Sequence, residues 1–174
     1  LVEVLRCHLP LSARAARDRA VELLASVQIP QPEQRISHYP HQMSGGMRKR
    51  TALAQTLILD PDIILMDEPF SALDIQTRQL MENEVLALWQ AKRKAVLFIT
   101  HDLDEAIAMS DRVVVLSAGP ATRPIGEFVI DLERPRDVAE IRVHPRFIEL
   151  HEQIWSVLRD EVLKGYARQM EVSA

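Results

Sequence analysis

The sequence has little cysteine and no long apolar run. Cys7 is the only cysteine among 174 residues, so no disulfide can form within the chain. No stretch approaches the ~20 consecutive apolar residues that a membrane-spanning helix needs. The net charge of -4 gives no general reason to expect nucleic-acid binding. These absences favour a folded soluble domain over disulfide-rich, membrane-spanning and nucleic-acid-binding proteins.

Glycine is also scarce, and its placement excludes one phosphate-binding loop. A P-loop has the pattern Gly-x-x-x-x-Gly-Lys-Ser/Thr, and none of the five glycines is placed to make it. No lysine follows a glycine and precedes Ser or Thr. The sequence opens on Leu1 and not on an initiator Met, which we interpret as a truncated start.

An apolar run at residues 63–66 ends in two adjacent carboxylates, Asp67 and Glu68. Apolar residues without polar alternation predict a strand buried on both faces of a parallel sheet. The carboxylates would then emerge at the C-terminal edge of the sheet, where open α/β sheets bind ligands. Asp67 can hold Mg²⁺ through water, and Glu68 is the better candidate for a general base.

Polar caps before apolar periodic segments predict the helices. We expect helices at residues 12–27, 44–58, 75–91, 102–109 and 145–164. A second buried strand is predicted at 95–100, a third at 113–117, and an antiparallel edge strand at 126–132. His101 lies directly after the second strand. On its own, this histidine is more typical of a hydrogen-bonded structural residue than of a catalytic one.

Three further segments complete a set of motifs around residues 63–69. They are Met43-Ser44-Gly45-Gly46-Met47, Ser71-Ala72-Leu73-Asp74 and His101. In this order the motifs resemble those of an ABC-type ATPase: the signature motif, the Walker B strand with its catalytic Glu, the D-loop and the switch His. The resemblance implies an α/β fold, the C-terminal part of a P-loop NTPase, with a mostly parallel sheet flanked by helices and without the P-loop strand.

The resemblance also implies a division of the chain and of its sheet. Residues 1–42 would be the remnant of a helical subdomain, residues 43–132 part of the ATPase core, and residues 133–174 a C-terminal helical extension. In the family sheet the strand before the switch His lies between the Walker B and P-loop strands. Residues 95–100 would therefore form an exposed edge in this chain.

By the same resemblance the cofactors are ATP and Mg²⁺. Asp67 would hold the metal, Glu68 would orient or polarise the attacking water, and His101 would sense the γ-phosphate. The residues expected at the nucleotide are Ser44, Gly45, Gly46, Met47 and Asp74. The signature motif binds ATP held on the opposite subunit, so a composite site needs two subunits. Met47 departs from the commonest signature, which has Gln at this place.

Simpler interpretations of two features stay open. Ser44 with its two glycines could be a plain helix cap. The basic run Arg48-Lys49-Arg50 could attract phosphate or could be a solvated helix face.

The C-terminal pattern narrows the expected function. Apolar residues from Pro145 to Leu158 look like the tail of importers for nitrate, sulfonate and taurine. This implies an ATP-hydrolysing importer subunit, cytoplasmic and peripheral at the inner face of the cell membrane. Its expected partners are a second ABC ATPase subunit and a transmembrane permease, without nucleic acid. Lacking a P-loop, the chain alone is expected to be catalytically incompetent.

Two alternatives remain. The first is a non-catalytic binding module that completes a partner's ATP site. The second is the C-terminal ATPase lobe of a chromosome-structural or DNA-repair ABC protein. The second would be supported by long heptads before Met43, which the sequence does not show.

Overall fold

The computed structural model describes residues 1–71 and 73–172. Ala72 of the predicted D-loop, and residues 173 and 174 of the predicted C-terminal extension, lie outside the described residues. The described helices are α1 (Val2–His8), α2 (Ala13–Ser26), α3 (Pro32–Arg35), α4 (Gly45–Leu57), α5 (Ile75–Lys92), α6 (Leu103–Met109), α7 (Val138–Ile141) and α8 (Pro145–Val172), with a 3₁₀ turn at Pro40–Gln42. The described strands are β1 (Ile63–Asp67), β2 (Ala95–Ile99), β3 (Arg112–Leu116) and β4 (Pro124–Val129).

The chain divides into two compact units. The first contains Leu1–Met66 and Ser71–Leu97, and the second contains Asp67–Phe70 and the chain from Phe98 onward. Assignment of residues 1–42, 43–132 and 133–174 to subdomains stays a prediction.

The first unit has a core of helices. Helix α2 begins after Ser12, whose Oγ accepts a hydrogen bond from Ala15 N at 3.2 Å. This satisfies one of the backbone donors left unpaired at a helix start. The predicted helix at residues 12–27 is thereby confirmed. The buried residues of this core are Leu5, Ala16, Ala20, Leu23, Leu24, Val27, Ile29, Ala54 and Ile58.

Strands β1 and β2 are neighbours in one sheet. Ala95 N donates to Asp62 O over 3.2 Å, and Glu68 N donates to Ile99 O over 2.9 Å. The two bonds advance in the same direction along both segments, as in a parallel pair. Together with the helices that alternate with the strands along the chain, this confirms the α/β class.

The expected burial of β1 and β2 is wrong. Ile64 is buried, but Ile63 and Leu65 are 64% and 69% exposed. Along β2, Leu97 and Ile99 are 58% and 53% exposed. Among the described residues β2 has β1 as its only strand neighbour, so the expected exposed edge is confirmed. An apolar strand is buried on both faces only where other elements cover it.

The second unit contains an antiparallel pair and a long helix. Strand β3 pairs with β4 from Arg112 opposite Val129, with an irregularity between Val115 and Leu116. The antiparallel strand predicted at 126–132 is therefore confirmed, with β4 beginning and ending earlier in the chain. Helix α8 buries Phe147, Leu150 and Ile154, which recur at helical spacing.

A buried arginine ties several segments of the second unit together. The side chain of Arg136 is 1% exposed. Its guanidinium donates to the carbonyl oxygens of Ile107, Ala108, Ser110, Ile130 and Leu132. Burial, helped by nearby Arg134 and opposed by Asp111, lowers the pKa of Arg136 to about 10, so it stays charged at neutral pH. The end of α6 and the segment after β4 are thus held by one side chain.

Within the residues that the structure describes, no helix is both long and apolar enough to cross a membrane.

Candidate functional site

Polar residues follow directly after β1 and β2, and the structure brings two of them into contact. Glu68 comes after the last residue of β1, and His101 lies two residues after the end of β2. The backbone bond from Glu68 N to Ile99 O aligns the two strand ends. Because neighbouring parallel strands end at the same edge of a sheet, the residues that follow them can meet there.

Glu68 and His101 form a close pair. His101 Nδ1 lies 2.7 Å from Glu68 Oε1, and the carboxylate accepts the hydrogen bond from the ring N–H. The hydrogen bond that His101 donates to Glu68, and the attraction of the Glu68 charge, raise the pKa of His101 above the ordinary histidine value. The His101 side chain is 77% exposed and that of Glu68 is 32% exposed. The pair can therefore be reached by a ligand or by water.

The backbone of Glu68 has an unusual conformation. Its φ is 45°, in the left-handed region that non-glycine residues rarely adopt. Pro69 follows it, and a residue before proline is normally extended. Strained backbone of this kind costs about 1–3 kcal/mol and is concentrated at functional sites. The surrounding contacts must therefore hold Glu68 in place.

The predicted signature residues begin helix α4 in the first unit. Ser44 Oγ accepts a hydrogen bond from Met47 N at 3.3 Å, so the plain capping role is present. A Cβ built on Gly45 would meet nothing within 4 Å, and one on Gly46 would meet only Thr77 Cγ2 at 3.9 Å. The described packing therefore does not require glycine at either place. Close approach of an external group to the backbone N–H groups would require it.

The other predicted contact residues also lie in the first unit. Asp74 caps helix α5, since its Oδ1 accepts from Thr77 N at 3.0 Å, and this bond lowers the pKa of the exposed Asp74 carboxyl. The side chain of Met47 packs partly buried against the helical core. The structure thus brings Glu68 and His101 together and places the predicted nucleotide contacts in the other unit.

One member of the basic run has a structural role. Arg50 Nη2 lies 2.6 Å from Glu84 Oε1, and Arg50 Nη1 donates to Gln28 O over 3.0 Å. Arg50 therefore connects α4 with α5 and with the segment after α2. Arg48 is exposed and Lys49 is half-buried, so the choice between phosphate attraction and solvation stays open for these two.

A family profile described as "ABC transporter" matches residues 3–71. An uncharacterised ABC transporter ATP-binding protein of Methanocaldococcus jannaschii is 55% identical over 128 residues, which are 73% of this chain and 46% of that protein. A taurine import ATP-binding protein of Rhizobium johnstonii is 38% identical over 149 residues, which are 83% of this chain and 55% of that protein. The chain belongs to the ABC transporter family of ATP-binding proteins.

A solved ABC structure agrees with this membership. It is the dimeric post-hydrolysis state of an ATP-binding cassette bound to ADP and Pi. Its TM-score with this chain is 0.51 at 32% identity, over 62% of this chain and 45% of that one. The chain thus spans about half the length of the curated relatives it matches.

A divalent metal is predicted at Asp67, the last residue of β1. Asp67 is exposed at the end of β1, and carboxylate oxygen is a ligand that Mg²⁺ prefers. Within the described part of the chain, no three His, Cys, Asp or Glu side chains group to hold a metal ion. Asp67 suits a metal that takes its other ligands from water and phosphate, as Mg²⁺ commonly does.

Two polar residues near His101 were not predicted from the sequence. Thr100 Oγ1 donates to Glu105 Oε2 over 2.8 Å, and Glu105 is buried at 2% exposure. Glu105 stands three residues after the α6 cap Asp102, which is typical of a capping-box glutamate. That pattern could have drawn attention to Glu105, although it predicts a different hydrogen-bond partner.

Replacing Glu68 with Gln should lower the pKa of His101 toward its ordinary value of about 6.5, because the charged acceptor is removed. The titration can be followed by NMR of the histidine rings, with His101→Gln used for assignment. The raised pKa also predicts how stability depends on pH. The contact between His101 and Glu68 stabilises the folded chain fully below the unfolded-state pKa of His101, and this contribution is lost as the pH rises through the folded-state pKa. An unchanged His101 pKa in the Glu68→Gln variant would contradict the contact.

Proposed function

We propose that this chain is part of the ATP-hydrolysing subunit of an ABC importer for a small anion such as taurine, another sulfonate or nitrate. The observation that carries the proposal is the contact between Glu68 and His101 after two neighbouring parallel strands. This is the arrangement that the Walker B Glu and the switch His would need in order to act on one water molecule. Family membership supplies ATP as the substrate.

In the proposed mechanism Glu68 orients and polarises the water that attacks the γ-phosphate. Base action on a largely dissociative transition state is mostly positioning. The His101 ring N–H is held by Glu68 in this structure, and in the nucleotide complex it would donate to the γ-phosphate. Asp67 would hold Mg²⁺, which neutralises charge developing on the phosphate oxygens.

The signature residues would serve a second subunit. Ser44, Gly45 and Gly46 would present backbone N–H groups at the start of α4 to the γ-phosphate on the partner's P-loop. The open space at Gly45 supports this close approach. Asp74 would lie at the same interface. The 174 residues contain no P-loop sequence, so this chain is proposed to need a P-loop from outside itself.

The importer class is proposed from the relatives and from the C-terminal pattern. The matched taurine import protein covers 83% of the chain. The first apolar residues of the tail fold as the buried side of α8, while Trp155 remains 43% exposed. In this proposal a transmembrane permease binds the subunit at the inner face of the membrane, and the permease determines which anion is carried.

A second candidate is a non-catalytic module that completes a partner's ATP site. One observation favours it. Helix α4 begins normally after its Ser44 cap, in a chain that has no P-loop sequence. A chromosome-structural or DNA-repair lobe is disfavoured, because the described helices before Met43 are short. The longest of them, α2, has 14 residues, and a coiled-coil arm needs several heptads.

The 174-residue chain should not hydrolyse ATP by itself, but it should associate with a complete taurine-import ATPase subunit in MgATP. The partner's catalytic Glu would be replaced by Gln to block turnover, and association measured by analytical ultracentrifugation in ATP and in ADP. We expect a one-to-one complex in ATP alone. ATP turnover by the isolated chain that Glu68→Gln abolishes would contradict the expected inactivity. Equal association in ATP and ADP would contradict the composite site.

A further inference from the structure

Glu105 has a buried carboxylate in the first turn of a short helix. The residue is 2% exposed, and Thr100 Oγ1 donates to its Oε2 over 2.8 Å. The same Oγ1 accepts a hydrogen bond from Asp102 N at 3.0 Å. Burying a carboxylate is costly unless hydrogen bonds compensate it, and this one is hydrogen-bonded to a residue beside the switch His.

These hydrogen bonds lie on both sides of His101. Thr100 precedes it and Asp102 follows it, and the Thr100 hydroxyl connects the two. Asp102 is held further by α6, since its Oδ1 accepts from Asp104 N at 2.9 Å and Glu105 N at 3.2 Å. An exposed imidazole has little packing to fix its direction. The backbone on either side therefore helps to set whether the His101 ring can reach Glu68.

We propose that Glu105, acting through the Thr100 hydroxyl, is a positioning residue that holds residues 100–102 so that the His101 ring meets Glu68. Thr100 acts as the relay, donating to Glu105 and accepting from Asp102. Glu105 does not touch His101 in this role, so it is not a catalytic residue. The consequence for ATP hydrolysis rests on the proposed function, whereas the positioning itself needs no nucleotide.

The proposal predicts different outcomes for two Glu105 variants. The amide oxygen of Glu105→Gln can still accept from Thr100, whereas Glu105→Ala removes the acceptor. Both variants remove the charge, which contributes least among the causes that raise the pKa of His101. Any difference between them therefore does not come from the charge. It reports the lost acceptor or the lost side-chain volume, which the Thr100 variants separate.

The measurement is NMR of the histidine ring nitrogens in the nucleotide-free chain, giving the pKa and the tautomer of His101. Wild type should show a raised pKa and a proton on Nδ1 in the neutral form. Glu105→Gln should stay close to wild type. Glu105→Ala should lose the Nδ1 preference, with a pKa falling toward about 6.5. His144 and His151 resonances report whether the second unit is still folded.

Two variants of Thr100 provide a matched pair in case Glu105→Ala does not fold. Thr100→Ser retains the hydroxyl and should behave like wild type. Thr100→Val has nearly the same shape without the hydroxyl and should shift His101 as Glu105→Ala does. If both residues act through one hydrogen bond, the combined variant should shift His101 no further than either single one.

Several results would overturn the proposal. They are a folded Glu105→Ala or Thr100→Val variant with wild-type His101 titration and tautomer, a Glu105→Gln variant that shifts as far as Glu105→Ala, and additive shifts in the combined variant. None of these depends on ATP. If the His101 shifts occur as expected but the ATP-dependent complex does not form, the proposed function fails while the positioning role stands.

Discussion

Gly45→Asp is expected to abolish the ATP-dependent complex with a P-loop-bearing subunit. In the proposed composite site the partner's γ-phosphate approaches the backbone N–H groups at the start of α4. A carboxylate at Gly45 would place negative charge there. Two like charges about 4 Å apart repel by ~4 kcal/mol at an effective dielectric of 20. We expect the association constant in ATP to fall on the order of 100- to 1,000-fold.

Two control variants separate the possible causes of that loss. A Cβ at Gly45 meets nothing within 4 Å in this chain, so Gly45→Ala should fold as wild type and test only the close approach of the partner. Gly45→Asn has almost the shape of Gly45→Asp without its charge. The loss should be largest for Asp. Equal complex formation by wild type and Gly45→Asp would mean that the signature motif is only a helix start.

Arg136→Met is expected to destabilise the second unit strongly. The side chain of Arg136 is 1% exposed and donates to five backbone carbonyls around the end of α6 and the segment after β4. Met fills a similar length but leaves those oxygens without this donor. A buried acceptor left without a donor costs about 1–3 kcal/mol, and several oxygens lose the Arg136 donor together. Urea unfolding, followed by circular dichroism, would measure the change.

The control for Arg136 is a lysine. Arg136→Lys keeps the positive charge, but a three-donor ammonium cannot reproduce the planar fork of the guanidinium. We expect the free energy of unfolding of Arg136→Lys to lie between that of wild type and that of Arg136→Met. Hydrogen exchange should report faster opening in α6 for both variants. If the urea midpoint of unfolding is the same for Arg136→Met and wild type, the buried guanidinium does not stabilise the second unit.

Helix starts were the most predictable part of the fold. Ser12, Ser44, Asp74 and Asp102 were each expected to precede a helix, and each caps one. A cap depends on a side chain and the backbone two or three residues later, so the information is local. Burial of the strands was not predictable in this way. Whether Leu65 is covered depends on elements distant in sequence.

The candidate site was partly predictable for the same reason. Sequence order places Glu68 and His101 after successive apolar segments, and parallel pairing then brings them to one edge of the sheet. The left-handed φ of Glu68 was not expected, because a residue before proline is normally extended. The buried states of Glu105 and Arg136 were also missed. Charged residues are rarely fully buried, so the residue type alone predicts that both side chains are exposed.

The left-handed backbone at Glu68 has an evolutionary consequence. Glycine adopts a φ of 45° without the strain that a side chain brings. Selection for thermal stability alone would therefore favour Gly at this position and remove the carboxylate. If Glu68 has the proposed catalytic role, a Glu at this position is a trade-off between the stability of the fold and that chemistry. Under that proposal, replacement of this Glu would be the expected first sign that a duplicated copy no longer hydrolyses ATP.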